Sequence, residues 1–261
     1  MGVKTEEGTV WSLPAGKVAS ASAKMWNRLA GDGARVIAQL DDDESFRDRV
    51  AEFMFRGGFN PTCFQKIAQE IMGKNFLGVP DAIRHFGVHL AAEQEKALSE
   101  VAFPENVLRE CAKTHILFPG FPLTILDVRA KMPHGHFCSY EDAWYNSQPF
   151  ASSALILRWY LLRKEAVADS FSKPFADQQK LLLATEEVPS ACEVVYGTML
   201  YERVTGIRLF KSCYVRCRDL YSDGSRVVVG SFDSSGFHVG YWGGDDSDND
   251  LGCSSARKVQ S

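Results

Sequence analysis

The chain changes texture once, at Thr114, and that change constrains the fold more than any other feature. Before it, apolar residues recur at helical spacing. In DDDESFRDRVAEFMFRGG, Phe46, Val50, Phe53 and Met54 mark one helix. Asp41 to Glu44 place negative charge where a helix dipole favours it, and Gly57-Gly58 supplies the stop. SASAKMWNRLA predicts a helix ahead of it. PTCFQKIAQEIMG, with Pro61 at its start and Gly73 at its end, predicts one after it. VPDAIRHFGV, LAAEQEKALSEVAF and PENVLRECAK predict three more. After Thr114, HILFPGFPLTILDVRAKM is β-branched and apolar with two prolines, and predicts strands with a break. ALILRWYLLRKEAV predicts a buried strand, with a helix open by periodicity alone. EEVPSACEVVYGTMLYERVTG is the strongest helix of this half, from Pro189 to Gly206. RLFKSCYVRCRDL, SRVVVGSF and FHVGYW then predict short strands joined by turns at Ser222-Asp223-Gly224 and Ser234-Ser235-Gly236. The expected fold is α+β, with a helical unit over 1–113 and a mixed domain over 114–261.

Composition sets the class of partner. A net charge of −4 supplies no basic field for nucleic acid or for an anionic membrane surface. With 17 Phe, 8 Tyr and 5 Trp, the chain has the means to build a packed core. Its seven cysteines are odd in number and scattered, which predicts free thiols and a reducing compartment. MGVKTEEGTVWSLPAGK has no apolar run, and no stretch approaches the roughly 18 apolar residues of a membrane span. The expectation is a cytoplasmic protein without a membrane partner.

Several chemistries can be tested against residue spacing. No G-x-x-x-x-G-K-[ST] loop, no G-x-G-x-x-G after a strand and no G-x-S-x-G elbow occurs. Phosphate-loop enzymes and elbow hydrolases therefore drop out, and no cofactor is expected. In PHGHFC, His134, His136 and Cys138 alternate. On a strand they would share a face and could ligate a metal or supply acid–base chemistry. They read more readily as a polar loop beside a buried thiol, because no second His or Cys pair stands at zinc spacing. Cys213 and Cys217, in CYVRC, read as structural thiols. The run DDSDND, Asp245 to Asp250, offers oxygen ligands to calcium. An EF-hand needs Gly at its sixth place and Glu at its twelfth, where, counted from Asp246, Leu251 and Arg257 stand. Otherwise the run is a solvated acidic loop. PTCFQKIAQEIMGKNFLGVPDAIRHF can be drawn as a helix–turn–helix, but Lys74, Arg84 and His85 are too few for a recognition face. A structural helical pair, or a regulatory module that contacts a partner, fits better.

The last seventy or so residues carry a resemblance. A helix ends in Thr205-Gly206-Ile207-Arg208-Leu209, and short strands lead to Gly230-Ser231-Phe232. Asp248-Asn249-Asp250-Leu251-Gly252 and Ala256-Arg257 follow. This order resembles the C-type-lectin-fold proteins of the formylglycine-generating-enzyme type, and the variable proteins of diversity-generating retroelements that share the fold. Phe232 stands where those proteins have Trp, and Cys253-Ser254 where they have Phe-Arg. No cysteine lies between Ser231 and Gly252, so the sulfatase-modifying activity is not implied. The chain also resembles uncharacterised bacterial proteins with S-S-A-R-K tails. The resemblance implies a C-type-lectin-like domain whose Gly230–Gly252 stretch displays ligand-contacting residues on a rigid frame. The implied contact residues are Ser231, Asp233, Ser234, Phe237, His238, Tyr241, Trp242, Asp245 and Asp248. Alternation sets Phe237 and Val239 against His238, with Val228 and Val239 expected in the core. The expected function is non-enzymatic binding of a protein or other macromolecule by a diversified surface, and catalysis at His134, His136 and Cys138 is the alternative.

Overall fold

The computed structural model describes residues 32–55, 59–139 and 142–259. The chain divides into two compact units, residues 1–54 and 55–261. The first carries helix α1 (Gly33–Asp42) and most of α2 (Glu44–Phe55). Asp43 separates them because its carboxylate accepts the Phe46 N–H at 2.9 Å, an N-terminal cap that starts α2 beside the acidic run. Helix α1 was not among the expected elements. The helix expected over SASAKMWNRLA and the Gly57-Gly58 stop lie outside the described residues.

In the second unit come α3 (Cys63–Met72), α4 (Val79–Phe86), α5 (Ala92–Ala97) and α6 (Glu105–Cys111). Then follow β1 (His115–Gly120), α7 (Ile125–Lys131), two 3-10 turns (Trp144–Ser147 and Pro149–Ser152), β2 (Arg158–Arg163), α8 (Phe175–Gln179) and β3 (Glu186–Glu187). The long helix α9 (Ala191–Thr205) precedes β4 (Tyr214–Leu220), β5 (Arg226–Asp233), β6 (Gly236–Trp242), β7 (Leu251–Cys253) and β8 (Ala256–Arg257). The protein is α+β. One sheet has the order β1-β2-β8-β3 and the other β6-β5-β4-β7. In the second, β4, β5 and β6 form an antiparallel meander, and β7 lies parallel to β4.

Helix α9 organises the core. Ser190 and Glu193 form a reciprocal capping box at its start, and Gly206 ends it in the left-handed conformation. Val194, Val195, Tyr196, Met199 and Leu200 are fully buried. The helix lies close against β1, and Gly197 permits this: a Cβ there would meet the Phe118 ring at 2.7 Å. Phe118 stacks between Tyr160 and Tyr196, at 5.5 and 5.6 Å.

The other face of the β1 sheet is covered by the preceding helical segment. The Leu77 N–H donates to the Leu117 carbonyl at 2.9 Å, and Trp159 Nε1 donates to the Leu98 carbonyl at 3.0 Å. Residue 113 therefore falls inside the second unit, where helices and strands share one core. The strand expected over TILDVRAK is instead helix α7. Thr124 caps it at the Asp127 N–H, and Asp127 accepts the Thr124 N–H in return. That reciprocal cap outweighs the strand propensity of Ile125 and Val128.

Candidate ligand-binding face

The β4–β5–β6 meander has two unlike faces. Val215, Val227, Val229 and Val239 project to one, and all are buried in the core. On the other, strand register aligns Tyr214 with Gly230 and Gly230 with His238. The next row sets Arg216 opposite Val228 and Val228 opposite Gly240, and the last sets Arg226 opposite Trp242. Glycine at 230 and 240 leaves Val228 as the central side chain of this face. The Tyr214 ring lies 6.2 Å from His238 and 5.7 Å from Trp242. These three aromatic groups are half-buried and form a row on the outer face.

Gly230 has a second reason to be glycine. Its φ is 138°, and a Cβ would meet the Cys213 carbonyl oxygen at 2.3 Å. The bulge continues at Ser231, which adopts a φ of 47° and donates its N–H to Cys213 at 2.8 Å. Non-glycine residues rarely adopt that conformation, so Ser231 shapes the backbone of the face.

Two exposed loops border the row. In the β5–β6 hairpin, Asp233 Oδ1 accepts the Ser235 hydroxyl at 2.6 Å and the Ser235 N–H at 2.7 Å. These bonds hold the Asp233 carboxyl below its usual pKa. The Ser235 oxygen in turn lies 2.9 Å from His238 Nε2. The order is Asp–Ser–His. The hydroxyl proton is committed to the carboxylate, so the imidazole cannot act as base on that serine, and the chain does not form a nucleophilic triad.

The second loop joins β6 to β7. Asp245, Asp246, Ser247, Asp248 and Asn249 are all exposed there. Beneath them Arg216 is fully buried. Its guanidinium donates to the carbonyls of Gly243 at 2.9 Å, Asp246 at 2.7 Å and Lys173 at 3.2 Å, and to Gln178 Oε1 at 3.0 Å. Burial lowers its pKa, and the Cys253 and Asp246 side chains partly offset that. Backbone carbonyls and the Gln178 amide, not a carboxylate, accept from its two terminal nitrogens.

The expected contact residues therefore separate. His238 and Trp242 sit in the aromatic row, and Asp233, Ser234, Asp245 and Asp248 lie on or beside the two loops. Phe237 points the other way. It is 1% exposed and packs edge-on against Phe232 at 5.3 Å and Phe137 at 6.0 Å. Its place in the core follows from the alternation that put it with Val239. Tyr241, 46% exposed, stacks on Tyr221 at 4.5 Å and meets the Trp144 edge at 4.9 Å. Successive strand residues face opposite ways, so Tyr241 and Trp242 belong to two clusters. Val228 and Val239 are buried as expected, but on opposite faces. Tyr214 and Ser235 were missed. Alternation within YVRC, with Tyr214 and Arg216 on one face, was the available signal for the first.

The His134, His136 and Cys138 stretch does not gather. His136 Nε2 turns to Glu202 at 3.2 Å, while His134 and Cys138 are exposed. Among the described residues, no three His, Cys, Asp or Glu side chains are placed to hold a metal, in this stretch or in the Asp245–Asp250 loop. A separate cleft of about 220 Å³ contains Arg158, Tyr160, Glu193 and Arg218. Glu193 is buried, which raises its pKa, and Arg218 chiefly opposes that rise. One of its oxygens accepts the Ser190 N–H at 3.1 Å and the other meets Arg218 at 3.1 Å. Both are engaged in anchoring the start of α9. No helix among the described residues is long and apolar enough to cross a membrane.

Comparison with known proteins gives no match: no family model, no curated protein and no solved structure aligns with the chain.

Proposed function

We propose that this is a non-enzymatic binding protein whose outer β4–β5–β6 face, with its two bordering loops, contacts a protein or other macromolecule. One observation carries this reading. Tyr214, His238 and Trp242 form a row on one face, while Val215, Val227, Val229 and Val239 on the opposite face of the same strands are buried in the core. Side chains can change on such a face without repacking the interior. Aromatic groups give large contact area for little lost rotamer freedom, and the serines and aspartates at the margin give adaptable polar contacts.

We read the scaffold as C-type-lectin-like and the face as diversified. In support, α9 ends in Thr205-Gly206 and leads directly into the meander, and the terminal strand β8 returns to pair with β2 and β3. A cytoplasmic location accords with the free cysteines.

Selection from a displayed library of random peptides tests the binding role. Peptides selected on the native protein should lose binding to the triple variant Tyr214→Ser, His238→Ser, Trp242→Ser and keep it with Tyr241→Ser. Peptides that bind the triple variant equally well would place recognition elsewhere.

A further inference from the structure

Three strands bring unmatched polar side chains together at one end of the β1 sheet. His115 lies opposite Arg163 in the register of β1 with β2. The Arg163 N–H donates to the Ser255 carbonyl at 2.9 Å, which continues the row to the segment entering β8. Directly paired residues project to the same face, so the side chains of His115, Arg163 and Ser255 share one face. Arg257, two residues on, follows them to that face and meets Glu110 of α6 at 3.6 Å.

Among the described residues, His115 Nε2, Arg163 Nε and Ser255 Oγ are enclosed and have no protein partner. His115 is 3% exposed and Ser255 0%. Other contacts do not absorb them: Thr114 Oγ1 occupies His115 Nδ1 at 2.8 Å, leaving Nε2 to face inward. Buried polar groups without partners are destabilising, and native proteins rarely leave several together.

The three atoms share a chemistry. Arg163 Nε can only donate, Ser255 Oγ can donate, and His115 Nε2 donates in the tautomer whose Nδ1 accepts the Thr114 hydroxyl. The charged groups that act on His115 are Arg163, Arg257 and Lys164, all of them cationic. Glu110 is drawn to Arg257, and Glu186, opposite Arg257, accepts the Leu183 N–H at 3.1 Å. A cluster of donors in a positive field calls for an acceptor that carries negative charge. Arg163 also lines a cleft of about 450 Å³ with Lys164, Glu165, Lys211 and Ser212.

We infer that His115, Arg163 and Ser255 enclose a binding site for a small monovalent anion of the halide class. Bromide is the probe. Crystals grown in sodium bromide should show an anomalous peak at roughly 3.3 Å from Arg163 Nε and Ser255 Oγ, a contact slightly longer than an N–H···O bond. In solution, saturating bromide should raise Tm by roughly 3–5 °C over sodium gluconate at equal ionic strength, since an ion that binds only the folded state stabilises it. Ser255→Ala, a small change that leaves the strand backbone intact, should abolish that difference, and Arg163→Gln should do the same. An ordered water without anomalous signal would overturn the inference. So would a peak with no Tm difference, which marks binding at crystal concentration only, or a Tm difference unchanged in both variants.

Discussion

Arg216 donates to the carbonyl oxygen of Asp246 at 2.7 Å from a fully buried position, and so ties the exposed acidic loop to the sheet beneath it. The same guanidinium holds Gly243, Lys173 and Gln178, so one side chain joins β4 to two segments distant in sequence. Arg216→Met should therefore lower unfolding free energy by about 3 kcal/mol, mostly by leaving buried carbonyls without donors. That corresponds to a Tm fall of roughly 6–12 °C for a unit of this size. Amide exchange at Asp246 and Leu251 should quicken beyond the global change. Equal protection in the two proteins would show that the loop does not depend on Arg216.

Tyr241 and Trp242 should behave oppositely on substitution. Tyr241→Ala removes one member of the Trp144–Tyr221–Tyr241 cluster and should cost about 1–2 kcal/mol in stability. Trp242→Ala should cost under about 1 kcal/mol, yet remove binding of selected peptides. Thermal melts and binding on both variants check the pair, and matching effects would contradict the two-cluster geometry.

Phe237 and Ser234 provide a sharper contrast within one hairpin. Phe237→Ala empties a core position and should cost about 3–5 kcal/mol. Ser234→Ala, on the exposed turn, should stay within about 0.5 kcal/mol of the native protein. Denaturant titration measures both.

His115 predicts an acid-sensitive fold. Burial, with Arg163, Arg257 and Lys164, pushes its pKa down to about 4 from an ordinary value of 6.5. The folded state therefore holds it neutral, while the unfolded chain takes up the proton first. Its contribution is fully present above pH 6.5 and is lost as pH falls from there to about 4, where the loss levels off. The magnitude is about 3 kcal/mol. Denaturation of the native protein and His115→Gln between those pH values, in halide-free buffer, should show a steeper loss in the native protein. Bound bromide should raise the His115 pKa, observable by NMR.

Much of this arrangement was legible in the sequence because it is local. Ser190, Glu193 and Gly206 mark both ends of α9, and period-two alternation separates His238 from Phe237 and Val239. Alternation equally implied that Tyr241 and Trp242 diverge, although their adjacency suggested a single patch. The α7 helix was hidden by β-branched residues, with the Thr124–Asp127 cap as its only local sign. Arg216 was not legible at all. Its acceptors are carbonyls and an amide from segments near residues 173, 178, 243 and 246, and no spacing rule connects them. The union of helices and strands in one core likewise depends on long-range bonds such as Leu77 to Leu117.

The most direct test is deep sequencing of the 3′ end of this gene across a natural population. A diversified binding face predicts substitutions concentrated at Ser234, His238, Trp242, Asp245 and Asp248, with Arg216, Gly230, Phe232, Phe237 and Val239 fixed. Substitutions spread evenly along the chain, or falling equally on Phe237 and His238, would contradict it.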